Sequence, residues 1–129
     1  MTPSVSVIIP VRNGEHVLGP QLEALAAQQV PVAFEVVIAD NGSTDGTAAL
    51  AESFRDRIPL LRVVDASIRP GINVARNAGA RAALGELLLF CDADDLVQPG
   101  WIAAMWQASR TSPALGGALD EQLLNPQNR

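Results

Sequence analysis

Tyrosine and lysine are both missing from this sequence, and cysteine and histidine each occur once. A lone cysteine, Cys91, cannot form a disulfide within the chain, which fits a reducing compartment and leads us to expect a cytoplasmic location. Aromatic residues make up only 4% of the chain, so its core has to be assembled from Val, Ile, Leu and Ala. No apolar run reaches the roughly 18 residues a transmembrane helix needs. The N-terminus lacks the basic stretch and small-residue cleavage site of a signal peptide, and none is expected. A longer form of the chain could still work at the inner face of a membrane. All positive charge comes from nine arginines, set against 14 acids for a net charge of −5. That balance weighs against non-specific binding to nucleic acid or to anionic lipid.

What is present describes an ordinary globular domain: 129 residues, 48% hydrophobic and 18% charged. A chain of this size buries roughly two-thirds of the surface its unfolded form exposes. Four short runs rich in Val, Ile and Leu stand out: Val5–Pro10, Glu35–Asp40, Leu60–Asp65 and Glu86–Asp92. They are nearly continuous and do not alternate, as expected of strands covered on both faces. Between them lie segments of helical character. Glu15–Gln29 repeats Leu18, Leu22, Leu25 and Gln29 at spacings of three and four, with Pro20 placing the regular start near Gly19. The others are Thr47–Arg55, Asn73–Leu84 and, after Pro99 and Gly100, Trp101–Ser109. Trp101, Met105 and Trp106 are expected to pack in the core. This alternation predicts an α/β fold, a three-layer α/β/α sandwich on a mainly parallel sheet with right-handed crossovers. The domain is expected over 1–110. The tail, 111–129, should hold at most a short strand at Leu115–Leu119 before disordered last residues.

Ligands of open parallel sheets bind beyond the carboxyl ends of the strands. Here those ends carry Pro10-Val11-Arg12-Asn13, Asp40-Asn41, Asp65 and Asp92-Ala93-Asp94-Asp95. Acids at strand ends also mark exits to solvent or cap helices. The last group is the sharpest, because a buried strand there runs into three carboxylates within four residues. Their repulsion is relieved by a shared proton, a set of backbone donors or a divalent cation, and Mg2+ or Mn2+ suits oxygen ligands. Asp95 is also a candidate helix cap. The stretch Asp40-Asn41-Gly42-Ser43-Thr44-Asp45-Gly46-Thr47 has the chemistry of tight turns and a helix cap. Within it Asp40 is the surplus residue, able to accept from a base N–H or a ribose hydroxyl. In Arg69-Pro70-Gly71-Ile72-Asn73-Val74-Ala75-Arg76, a loop with Arg and Gly leads into a helix N-terminus, which favours anions. Arg69 or Arg76 could meet a diphosphate there, and Arg76 could equally lie on a solvated helix face. His16 has no evident partner and reads as a surface helix residue.

Four ordered segments together resemble the N-terminal half of glycosyltransferase family 2, a group with the GT-A, Rossmann-like fold. They are Ser6–Asn13 with its Pro-x-x-Asn turn, Val36–Thr47, Asn73–Gly79 followed by Gly85-Glu86, and the acidic motif Asp92–Asp95. The resemblance covers about residues 4–110 and implies an activated donor, usually a nucleoside diphosphate sugar. It also implies metal-assisted glycosyl transfer, in most members with inversion, to a saccharide or lipid-linked acceptor. Carried over by residue, Pro10, Val11, Arg12 and Asn13 line the nucleoside pocket, and Asp40 and Asn41 contact base or ribose. Asp92 and Ala93 lie against the nucleotide sugar, with Asp92 at ribose or a metal-bound water, and Asp94 ligates Mn2+ or Mg2+. Family habit favours a UDP-sugar.

Family members continue for about another hundred residues, which supply an acceptor site and a carboxylate base. Asp120 and Glu121 come too early to match that base, so this chain is expected to be a truncated form in which donor binding outlasts turnover. Phosphatases of the haloacid dehalogenase type also use Asp-x-Asp after an apolar strand. They place it on the first strand and need a later lysine, which this chain lacks. The more serious rival is a nucleotide-sugar-binding remnant or interaction module with no turnover. A half-domain should also leave an uncovered sheet edge, so self-association is expected.

Overall fold

The computed structural model describes residues 2–111. Strands and helices alternate without exception: β1 Val5–Val11, α1 Leu18–Ala26, β2 Phe34–Asp40, α2 Thr47–Glu52, β3 Leu61–Asp65, α3 Ile72–Ala82, β4 Leu87–Phe90 and α4 Trp101–Thr111. The strands form one sheet in the order β3-β2-β1-β4, with every pairing parallel. The register runs through Val7↔Val36, Val7↔Leu89 and Ile38↔Val63. β1 and β2, the two central strands, carry the longest apolar runs because helices cover both of their faces.

Strand periodicity sorts the core into two layers. Val5, Val7, Ile9 and Val11 of β1 join Val36 and Ile38 of β2 and Leu87 and Leu89 of β4. Together they pack against Leu18, Leu22 and Leu25 of α1, Ala51 of α2, and Trp101 and Ile102 of α4. Met105 and Trp106 pack on the edge of this layer, as expected. The opposite face belongs to α3 and is lined by small residues, with Ala39, Ala66 and Ala75 at its centre. A Cβ on Gly79 of α3 would stand 2.6 Å from Ile8 Cγ2 and 3.3 Å from Ala39 Cβ. Glycine at 79 thus lets the helix axis approach the sheet, and the first turn of α3 then overhangs the carboxyl ends of β1 and β2.

A buried carboxylate holds the other end of α3. Glu35, only 1% exposed, accepts from Ser6 Oγ at 2.6 Å, Leu84 N at 2.7 Å and Arg62 Nη2 at 2.8 Å. Ser6 Oγ in turn accepts from Gly85 N at 2.8 Å, and Arg62 Nη2 also donates to Ala82 O at 2.7 Å. Burial by itself would raise the Glu35 pKa. The hydrogen bonds from Ser6, Leu84 and Arg62, with the Arg62 charge, outweigh it and hold the carboxyl below the ordinary glutamate value.

This network explains one departure from expectation. The Asn73–Leu84 pattern overruns the real end of α3 at Ala82, because the Leu84 and Gly85 amides turn to Glu35 and Ser6. Similarly, α1 ends at Ala26 rather than Gln29, and the buried member of its stripe is Gln28, with Gln29 exposed. The Gln28 side chain reaches across to Gln98 O at 2.9 Å. α2 closes at Glu52 and continues to Arg57 only as turns, including Arg57 N to Phe54 O at 3.0 Å. β4 is shorter than Glu86–Asp92 because Asp92 O turns out of the ladder to accept from Gln21 Nε2 at 2.9 Å. α4 begins only at Trp101, so Asp95 does not cap it. Thr111, expected in the tail, is the last residue of α4, and the rest of the tail with the anticipated strand at Leu115–Leu119 lies outside the described residues. Among those residues, no helix is long and apolar enough to cross a membrane.

Candidate functional site

A cavity of about 630 Å³ opens at the carboxyl end of the sheet, where β1, β2 and β4 give way to loops. The β1 turn contributes Pro10, Val11, Arg12, Asn13 and Gly14, followed by His16 and Val17, and Asn41 lies at the end of β2. Gly71, Ile72 and Ala75 overhang it from α3, and Asp92, Ala93 and Asp94 close it beyond β4.

The β1 turn is held in place by the turn after β2. Asn13 sits at φ 54°, a left-handed conformation that asparagine tolerates better than most residues. Its Oδ1 accepts from Thr44 N at 2.7 Å, and its backbone N–H donates to Ser43 Oγ at 2.8 Å. Gly14 N donates to Thr47 Oγ1 at 2.9 Å and Glu15 N to Asp45 Oδ2 at 3.2 Å. Asp45 also accepts the backbone N–H of Thr47 at 3.0 Å and the Thr47 hydroxyl, which hold its carboxyl below the usual range. Ser43, Thr44 and Asp45 therefore brace two loops against each other, and the N-cap of α2 is Gly46 and none of these three.

Asn41 is 6% exposed, and its amide is engaged at both ends. Nδ2 donates to Ala66 O at 2.7 Å and Arg69 O at 2.9 Å, while Oδ1 accepts from Gly71 N at 2.9 Å. This residue ties the 66–71 loop, and with it the start of α3, to the end of β2. Asp40, expected beside it at base or ribose, is half-buried and lies outside the cavity wall. Its Oδ1 accepts from Ser43 N at 2.9 Å. Asp65 likewise holds its own turn, accepting from Ser67 N at 2.9 Å, and the Ser67 hydroxyl and amide lower its pKa.

Of the two arginines expected near a diphosphate, Arg69 is exposed off the cavity wall. Arg76 is three-quarters buried on α3 and points its Nη2 at Asp92 Oδ1, 3.9 Å away. It faces the acidic turn rather than bulk solvent. His16 is exposed, as expected, but it stands in the turn before α1 and on the cavity wall.

The acidic turn itself brings Asp92, Asp94 and Asp95 together, with one carboxylate oxygen from each lying within 4.8 Å of the others. Burial raises the pKa of Asp92, and Asp95 and Asp94 raise it further, while Arg76 opposes the shift. Crowded hard oxygens of this kind fit a divalent cation of the Mg2+ or Mn2+ type. The neighbouring Cys91 is buried, and burial, with Asp92 and Asp95, pushes its thiol far above the normal range. Such burial suits a structural cysteine and not a nucleophilic thiolate.

Two buried amides that bond the chain at and after this turn escape a reading of the sequence. Gln21 of α1 is fully buried, and its Nε2 donates to Asp92 O at 2.9 Å while its Oε1 accepts from Val97 N at 3.0 Å. Gln28 does the same one stage later, accepting from Ile102 N at 3.1 Å and donating to Gln98 O. The one available signal is their spacing of seven, which puts Gln28 in line with the buried stripe that Gln21 shares with Leu18, Leu22 and Leu25 of α1.

Comparison with known proteins agrees with this geometry. Validoxylamine A glucosyltransferase of Streptomyces hygroscopicus subsp. limoneus is 37% identical over 113 residues, covering 87% of this chain and 25% of that protein. The structure of Staphylococcus aureus TarS 1-349 in complex with UDP-GlcNAc superposes with a TM-score of 0.76 at 32% identity, over 85% of this chain and 32% of that one. The mannosyltransferase PcManGT of Pyrobaculum calidifontis, in complex with GDP-Man and Mn2+, gives a TM-score of 0.73 at 31% identity, over 84% of this chain and 33% of that one. The chain thus spans a quarter to a third of the length of these relatives, and its sheet and helices have their GT-A architecture. Residues 6–121 match the profile of the family described as Glycosyl transferase family 2, and with the relatives and the GT-A sheet this means that the chain belongs to glycosyltransferase family 2.

Proposed function

We propose that this chain binds the nucleoside diphosphate part of a sugar donor in the cavity at the strand ends, for inverting transfer to a saccharide or lipid-linked acceptor in the cytoplasm. One observation carries the reading. The same 630 Å³ cavity is bounded on one side by the braced turn Pro10–Asn13 and on the other by Asp92, Ala93 and Asp94. The first surface suits a flat nucleoside, and the second suits a cation facing the diphosphate. Asp94, with Asp92, would hold Mn2+ or Mg2+, which when bound supplies charge stabilisation to a diphosphate leaving group. The protein's own part is to position. Asn41 fixes the loop that brings Ile72 and Ala75 over the cavity, and Arg76 sets a positive charge beside Asp92. Asp40 stands just outside the cavity wall with one carboxylate oxygen beyond its turn bond, and is assigned to a part of the ribose or base that reaches past that wall.

Two measurements test this reading. A panel of uridine, guanosine, thymidine and cytidine diphosphates should show a preference for uridine, lost in Asp40→Ala. Equal affinity for all four would make the turn at Asp40 purely structural. Donor hydrolysis with Mn2+ separates an enzyme from a remnant. Slow release of the nucleoside diphosphate supports a competent donor site, whereas tight binding without release supports a module that only binds. β4 is one of the two outer strands of the sheet, β3 being the other, and among the described residues Leu84 and Leu96, which flank β4 in the chain, are more than half exposed. The isolated chain is therefore expected to self-associate through the β4 edge. Light scattering checks this, and a strictly monomeric species at all concentrations would contradict it.

A further inference from the structure

We infer that Gln21 is a positioning residue for the acidic turn, setting the affinity of Asp92 and Asp94 for a divalent cation from the far side of the backbone. The inference rests on the donor-site reading and extends it to a helix that contributes no carboxylate. Gln21 is 0% exposed on α1, beside the buried Leu18, Leu22 and Leu25. An amide there is tolerated because both of its ends are satisfied, by Asp92 O at 2.9 Å and Val97 N at 3.0 Å. These two partners bracket the turn holding Asp94 and Asp95. Fixing both ends of so short a segment limits the ways its carboxylates can diverge. Gln28 provides a built-in comparison. It is likewise a buried amide, two residues past the end of α1, but apart from a bond to Ala24 O its partners are Gln98 O and Ile102 N, just before and inside α4 and beyond the acidic turn. If Gln21 only stabilised the fold, the two residues would behave alike.

The test compares Mn2+ affinity, read by electron paramagnetic resonance of free Mn2+, with thermal melting in the full chain and its Gln21→Met and Gln28→Met variants. Methionine keeps the volume and removes the bonds. Both variants should melt earlier. Gln21→Met alone should lose on the order of tenfold in Mn2+ affinity, the lower end of the loss seen when a ligand's supporting partner is removed. Equal losses of stability with unchanged Mn2+ affinity in both variants would overturn the positioning role and leave the donor site intact. A wild-type chain that binds no Mn2+ would overturn the donor-site reading and this inference with it. Should Gln21→Met fail to fold, amide exchange in the wild type decides. Saturating Mg2+ should slow exchange of the Val97 amide more than that of the Ile102 amide, and equal effects on the two would refute the coupling.

Discussion

Asp94→Ala is expected to abolish metal-dependent binding of a nucleoside diphosphate, with a loss of more than about 100-fold, beyond the range seen for partners that merely support a ligand. The reason is geometric. Asp94 lies on the cavity wall and is exposed, so its carboxylate is available to a cation and takes no part in the core. Asp92 differs. It faces Arg76, and its carboxyl is partly desolvated, so Asp92→Ala removes a ligand but also relieves repulsion within the turn. Its effect should be smaller, nearer tenfold. Because Asp94 is exposed, Asp94→Ala should leave the melting temperature almost unchanged, within the roughly 0.5 kcal/mol typical of surface substitutions. Calorimetric titration with Mn2+ present checks the pair. An Asp94→Ala chain of unchanged affinity would remove Asp94 from the site.

The largest effect on stability should come from the opposite pole of the sheet. Glu35→Gln replaces a buried carboxylate, which accepts from Ser6, Leu84 and Arg62, with an amide whose NH2 must face donors. Breaking a buried, hydrogen-bonded charge in this way costs about 3 kcal/mol, or roughly 10 °C in melting temperature for a domain of this size. The pH dependence follows from the lowered pKa of Glu35. The folded value lies below the ordinary value of 4.5, so the folded state holds the ionised form more tightly than the unfolded chain does. The resulting stability is fully present above pH 4.5 and is lost as pH falls through the folded pKa. The gap between wild type and Glu35→Gln, measured by urea denaturation, should therefore be widest near neutrality and narrow in acid. A gap independent of pH would show that the ionised form of Glu35 contributes nothing.

The contrast between these two poles also marks what a sequence discloses. The four strands were legible because helices cover both faces of the sheet, so Val5–Pro10 and Glu35–Asp40 read as nearly continuous apolar runs, broken only by Ser6 and by the acids at the two ends of the second. The acidic turn was legible because three carboxylates stand within four residues at the end of an apolar run, and the fold brings one oxygen of each within 4.8 Å of the others. Asn13 was picked out as part of a turn, and its left-handed backbone and its bond to Thr44 supply the reason. The supporting polar residues were hidden. Glu35 stands where a strand begins and looks like a boundary with solvent, whereas its partners arrive from β1, β3 and the end of α3. Gln21 and Gln28 look like surface residues of an amphipathic helix until the chain after β4 folds across them. Asn41 combines the two. Its place at a strand end suggested contact with a ligand and it does line the cavity, while its tie to the 66–71 loop was hidden. Only long-range pairing separates these roles, and a local pattern does not contain it.

The central claim is that one cavity joins a nucleoside-binding turn to a metal-binding turn. Calorimetric titration of UDP into the wild-type chain, once with Mn2+ and once with the metal chelated, tests it most directly. The account predicts a saturable, one-site isotherm with Mn2+ that weakens at least tenfold on chelation, in line with a metal facing the diphosphate. An isotherm that is the same in both conditions, or absent in both, would contradict it.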